Sequence, residues 1–226
     1  MAADARKNNE FFTRTLGLRR VKKTVNFDSP EVYHLYYGDT VGSPGSVMTY
    51  FPHPNMNRGQ KGVGEVGVTE FAIPEGAIGY WRDRLSNLGV QGIRRSDYLD
   101  EKRLEFEGPD GDGFALVEAG RNGRKAWTGA GIGEAEGILG FHGARFRLRE
   151  TAATGELLTF MGYQKDETAD GVTRYRIDNG NEARTIDLEE MPDAPHADQG
   201  AGSVHHIAFA VEDRAAQQEV RKALLD

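Results

Sequence analysis

Two rhythms of apolar residues alternate along the chain. Ile78, Trp81, Leu85 and Leu88 recur at three and four residues, the spacing that gathers side chains on one helix face, and Ala216, Val220 and Leu224 repeat it near the C-terminal end. Asp213 stands where the later of these helices needs its N-cap. Asp4–Leu18 and Glu150–Tyr163 also read as helices, each with a polar start and an apolar-Gly-apolar finish. Short runs with strand character follow them: Leu18–Asn26, Val32–Tyr37 and Ser46–Phe51 after one, Gln164–Glu167, Thr173–Ile177 and Ala183–Leu188 after the other. Turn signals such as YGDT, GSPG and DNGN separate these strands.

The pattern repeats. Gly62, Gly64, Val66, Phe71, Ala72, Ile73, Glu75 and Ala77 fall on Gly200, Gly202, Val204, Phe209, Ala210, Val211, Asp213 and Ala215 at one constant offset, and both copies run on into a helix. The two polar-started helices, each with its strands, form a second and weaker match. The unit is a strand, a helix and three more strands, and it appears four times, with modules one and three alike and modules two and four alike. This predicts an α+β protein of tandem βαβββ modules in two pairs: residues 1–128 as the first pair, 129–140 as a linker containing GAGIGEAEG, and 141–226 as the second pair.

The same comparison sets an expectation about the ends. Module three opens with a strand, Leu139–Leu148, where module one begins at its helix; module two runs through closing strands to Ala119, where module four stops at Asp226. The first strand of module one and the last three strands of module four are therefore expected to lie outside this sequence.

Composition narrows the functional classes. With 226 residues, 38% hydrophobic and 28% charged, the chain reads as a soluble globular protein. No apolar run approaches the roughly eighteen residues of a membrane span, and the opening MAADARKNNEFF has no apolar stretch like that of a signal peptide, so a cytoplasmic location without a membrane partner is expected. Lys and Arg number 28 against 35 Asp and Glu, and no basic stripe offsets the net charge of −7, which argues against nucleic acid. The absence of cysteine excludes disulfides, thiolate nucleophiles and Cys-held metals, so any metal must rest on His, Asp or Glu. No Gly-x-Ser-x-Gly elbow supports a serine hydrolase.

The run GSVHHIAFAV, residues 202–211, places His205 and His206 side by side at the start of an apolar strand pattern. In module two the matching positions are Gly67 and Val68, so the architecture itself does not demand imidazole there. Taken with RRVKKTVNFDSPEVYHLYYGDTVGSPGSVMTYFPHP (Arg19–Pro54), the segment VHHIAFAVED resembles the ring-cleaving dioxygenases of the vicinal oxygen chelate superfamily, in the branch acting on para-hydroquinones. The resemblance covers essentially the whole chain. It implies sheets curled around a cavity and Fe(II), with Mn(II) as the alternative metal, held by two histidines and a glutamate. Such a set leaves open positions for a phenolate oxygen and for O₂. Carried over residue by residue, it makes His206 the metal ligand and His205 a catalytic neighbour of the substrate, with adjacent strand residues pointing to opposite faces. The other two ligands would fall in the stretches expected outside the sequence, so this segment alone is expected to bind metal weakly and to be inactive. The implied partners are a small aromatic substrate and O₂; a homo-oligomer is compatible with the sequence.

Other features have blander readings. His142 opens the strand of module three, the place from which a related catechol extradiol enzyme would draw a ligand, and defines an alternative; a glyoxalase-like lyase or isomerase and a metal-free sequestering protein of the bleomycin-resistance type are two more. His34, His53 and His196 read as structural or exposed. GAGIGEAEG does not follow a strand as a phosphate loop would. The acidic run Asp187–Gly200 lacks EF-hand spacing and reads as a solvated connector, and Asp110 and Asp112 read as hairpin turn residues.

Overall fold

The computed structural model describes residues 1–178 and 180–225, so the DNGN turn is described only in part and Asp226 not at all. Helix α1 (Ala5–Glu10) starts at Asp4, whose carboxylate accepts from the backbone N–H groups of Arg6 and Lys7 at 2.8 and 2.9 Å. It widens into one π turn over Phe11–Thr15, with Leu16 N–H donating to the Phe11 carbonyl. Phe11 and Phe12 are thereby both buried, and Gly17, at φ +69°, ends the element. Strands β1 (Arg19–Val25), β2 (Tyr33–Gly38) and β3 (Met48–Tyr50) then form an antiparallel three-stranded sheet.

Module two supplies β4 (Glu65–Ile73), α2 (Ile78–Asn87), β5 (Gln91–Arg95), β6 (Arg103–Glu107) and β7 (Gly113–Glu118). Module three supplies β8 (Gly140–Leu148), α3 (Ala152–Phe160), β9 (Gln164–Ala169), β10 (Val172–Arg176) and β11 (Thr185–Glu190). In each, the closing strand lies parallel to the opening one, β7 on β4 and β11 on β8. Modules two and three thus have the βαβββ order expected from the repeat. Trp81 and Leu85 of α2 are fully buried against Phe71, Phe106 and Phe114, and Leu158 of α3 packs with Ile186 and Leu188. Leu88, one residue past α2, is 54% exposed.

The pairing of modules differs from expectation. One eight-stranded sheet runs β5-β6-β7-β4-β8-β11-β10-β9, so module two pairs with module three across an antiparallel β4–β8 seam. The boundary at 129–140 therefore does not divide two self-contained pairs. The cause is β4's second edge: among the described residues module one brings no strand to it, and β8 satisfies its backbone groups instead. The intervening loop is packed rather than free, with Ile132 buried and the Trp81 indole N–H donating to the Glu136 carbonyl at 2.7 Å.

Residues 204–211 also depart from expectation, since they form no strand. Their counterpart β4 is held on both sides by ladders, whereas 204–211 have no such neighbour among the described residues. An apolar strand sequence without a partner edge stays unladdered. Helix α4 (Arg214–Ala223) follows as expected, with Asp213 Oδ1 accepting from Ala216 N–H at 2.9 Å, but none of its residues is buried. Nor is the run from Asp187 a solvated connector throughout: Asp187 is wholly buried within β11, and His196, Asp198 and Ala201 bridge to Val63, Gln60 and Arg58. No helix among the described residues is long and apolar enough to cross a membrane.

Candidate active site

A cavity of about 1750 Å³ is lined by β2 and β3 of the small sheet, by part of the large sheet and by the C-terminal segment, and His34, Tyr36, Phe51, Phe141, His205 and His206 are on its wall. Alternation along β2 places His34 and Tyr36 on one face, while Leu35 and Tyr37 point into the core with Phe12. The Tyr36 hydroxyl is 2.7 Å from His34 Nδ1, and the His34 ring lies 4.1 Å, centroid to centroid, from Phe51. His34 Nε2 is shielded from solvent and has no hydrogen-bond partner among the described residues. Burial, with the neighbouring His206 imidazole and Lys22, pushes the His34 pKa below the usual histidine range.

The histidine pair reaches this cavity by a different route from the one expected. His205 and His206 are exposed, on an extended segment without ladder bonds, with their Nδ1 atoms 2.9 Å apart. The segment is moored by Ile207, which packs against the module-three core, and by Phe209, edge-on to Tyr163. Strand alternation therefore does not set the direction of either imidazole. The contrast with module two persists: an added Cβ at Gly67 would come within 2.7 Å of Arg147, and Val68 packs with Ala115 and Val117.

The matching face of modules two and three is filled by charge. Arg103 and Glu70, both wholly buried, pair at 2.5 Å; Arg103 and Arg174 both hold Glu101, at 2.5 and 2.9 Å; Arg174 also grips Asp187 with two bonds of 2.8 Å. The Tyr98 hydroxyl donates to Asp187 and Glu70, and the Arg103 guanidinium lies 4.0 Å above its ring. His142 belongs to this network, its Nε2 3.0 Å from Glu101 Oε1 but off hydrogen-bond geometry. Burial alone would raise the Glu101 pKa; His142, Arg174 and Arg103 outweigh it and hold it at about 2. His142 thus sits beside a carboxylate that Arg103 and Arg174 already hold.

Asp112 is more than a turn residue. It is buried, receives the Tyr50 hydroxyl at 2.5 Å, and burial pushes its pKa up to about 6. His53 N–H donates to the Ala2 carbonyl in a loop and His196 bridges to Val63, so both serve the backbone framework.

Among the described residues no three His, Asp or Glu side chains converge on one point. The residues present thus do not fit a complete three-ligand centre. Neither the pairing of His34 with Tyr36 nor the network around Arg103 is apparent from the sequence alone. Spacing of two along a strand was the available signal for the first, and the run of Arg and Glu in β6, RLEFE, for the second.

Paired βαβββ modules around a large cavity define the vicinal oxygen chelate architecture. No family model matches the chain. MhqE of Bacillus subtilis (strain 168), provisionally named a ring-cleaving dioxygenase, is 35% identical over 214 residues, covering 94% of this chain and 70% of that protein. Chlorohydroquinone/hydroquinone 1,2-dioxygenase of Sphingobium indicum is 30% identical over 221 residues, covering 94% and 68%. The crystal structure of a Bacillus subtilis protein provisionally described as a dioxygenase superposes with a TM-score of 0.94 at 33% identity, covering 99% of this chain and 72% of that one. The chain belongs to the ring-cleaving dioxygenase family.

Proposed function

We propose that the protein opens para-dihydroxybenzene rings with O₂. The observation that carries this reading is the identity with ring-cleaving dioxygenases, one of them named for hydroquinone, along nearly the whole chain. In the overall reaction both oxygen atoms enter the product: the ring bond beside one hydroxyl breaks, one new end becoming a carboxylic acid and the other an aldehyde. The proposed metal is Fe(II), with Mn(II) as the alternative, His206 as one ligand and His205 beside the substrate. Fe(II) would supply the electron path between ring and oxygen. The apolar cavity wall, with Phe51 and Phe141, would hold the ring and exclude water.

The test is turnover by the full-length polypeptide that carries these residues, loaded anaerobically with Fe(II) and given hydroquinone in air. One O₂ consumed per ring opened is expected, with loss of turnover in His206→Ala and retention in His142→Ala. O₂ uptake with catechol but not hydroquinone, lost in His142→Ala, would establish the catechol alternative instead; no uptake with either would end the dioxygenase reading. The 226-residue chain by itself is expected to bind Fe(II) no tighter than micromolar, since His206 is the one ligand proposed among its described residues.

A further inference from the structure

The His34–Tyr36 pair has no role in the reading above, yet it has the form of a recognition group. Its ring lines the cavity, between Phe51 and Tyr36, at centroid distances of 4.1 and 4.0 Å. Nδ1 is engaged by the Tyr36 hydroxyl at 2.7 Å, and Nε2, hidden from water, is engaged by none of the described residues. A buried ring nitrogen without a partner is costly, and on a cavity wall a ligand that completes it accounts for its being kept.

The missing partner can be specified. If the Tyr36 hydroxyl donates to Nδ1, the neutral ring carries its proton on Nε2 and seeks an acceptor; if Nδ1–H donates to Tyr36, Nε2 is itself the acceptor. A hydroxyl satisfies both states, whereas a carboxylate or an ether oxygen satisfies only the first. The group that reaches Nε2 must also come with a flat apolar body, because Phe51 flanks the ring. A phenolic hydroxyl meets both demands. Residues 204–211, which make no strand ladder, line the same cavity as His34.

We infer that His34, oriented by Tyr36, is a substrate-positioning residue that receives the second hydroxyl of a para-dihydroxybenzene. The inference rests on the dioxygenase reading for the identity of the ligand. Selectivity for the para isomer then comes from the small sheet of module one, which contributes no proposed metal ligand among the described residues.

Equilibrium binding under anaerobic conditions tests this without requiring turnover. For the full-length polypeptide, hydroquinone is expected to bind about tenfold tighter than 4-methylphenol, the contribution of one well-made hydrogen bond. His34→Phe, which keeps an aromatic ring at the site, should erase that gap by weakening hydroquinone alone. His34→Gln, which restores a donor and an acceptor, should recover much of it, and Tyr36→Phe should reduce it in part. Equal affinities in the wild type, or a gap that persists in folded His34→Phe, would overturn the assignment. If His34→Phe fails to fold, a gap left unchanged in folded His34→Leu, which can make no hydrogen bond, overturns it. Failure of the dioxygenase reading appears separately, as absence of O₂ uptake by a wild type that still discriminates the two phenols.

Discussion

Arg103 holds together the buried face of the large sheet, because Glu70, Glu101 and the Tyr98 ring all depend on its charge. Arg103→Met should cost about 3–5 kcal/mol in chemical denaturation by leaving Glu70 buried and unpaired, and adding Glu70→Gln should recover part of it. Two carboxyls of the molecule respond to acid in opposite senses. Glu101, held at about 2, contributes stability that is complete above its unfolded value near 4.3 and lost as pH falls toward 2. Glu101→Gln should flatten that acid limb. Asp112, raised to about 6, favours the folded state when protonated, so its contribution fades as pH rises from about 4 through 6. Asp112→Asn retains an acceptor for Tyr50. It should raise the melting temperature at pH 8, by no more than the equivalent of about 3 kcal/mol, and leave it unchanged at pH 4.

At the scale of elements, β4 and residues 204–211 share a sequence pattern but not a structure. Hydrogen exchange makes the difference measurable: amides of β4 should be among the slowest to exchange, and those of 204–211 among the fastest. Protection of 204–211 equal to that of β4 would contradict the unladdered state. The contrast also explains what the sequence could convey. Helices α2 and α3 and most strands of modules two and three were legible from local periodicity and from the repeat, because each carries its own apolar face. Whether 204–211 becomes a strand is decided by an edge supplied elsewhere, and no local pattern encodes it. The same holds for His142, legible as a histidine at the start of β8 but not as a neighbour of Glu101 and Arg174, which lie far from it in sequence. In the sequence His34 reads as an ordinary histidine of a half-buried strand; its Nε2, without a partner among the described residues, is visible only in three dimensions.

For the whole molecule, the seam between β4 and β8 matters more than the loop that joins their modules. Seven residue pairs, from Glu65↔Arg147 to Ala72↔Gly140, cross it. The connecting loop passes Arg121 and Arg124, both accessible to a protease that cuts after basic residues, at least in part. A single cut there would break the covalent chain without releasing either piece, as happens when a zipped garment loses a seam stitch but not the zip. The nicked protein should elute from a sizing column as one particle and fall into two only in denaturant, and its cleft, walled jointly by both pieces, should still admit a phenol.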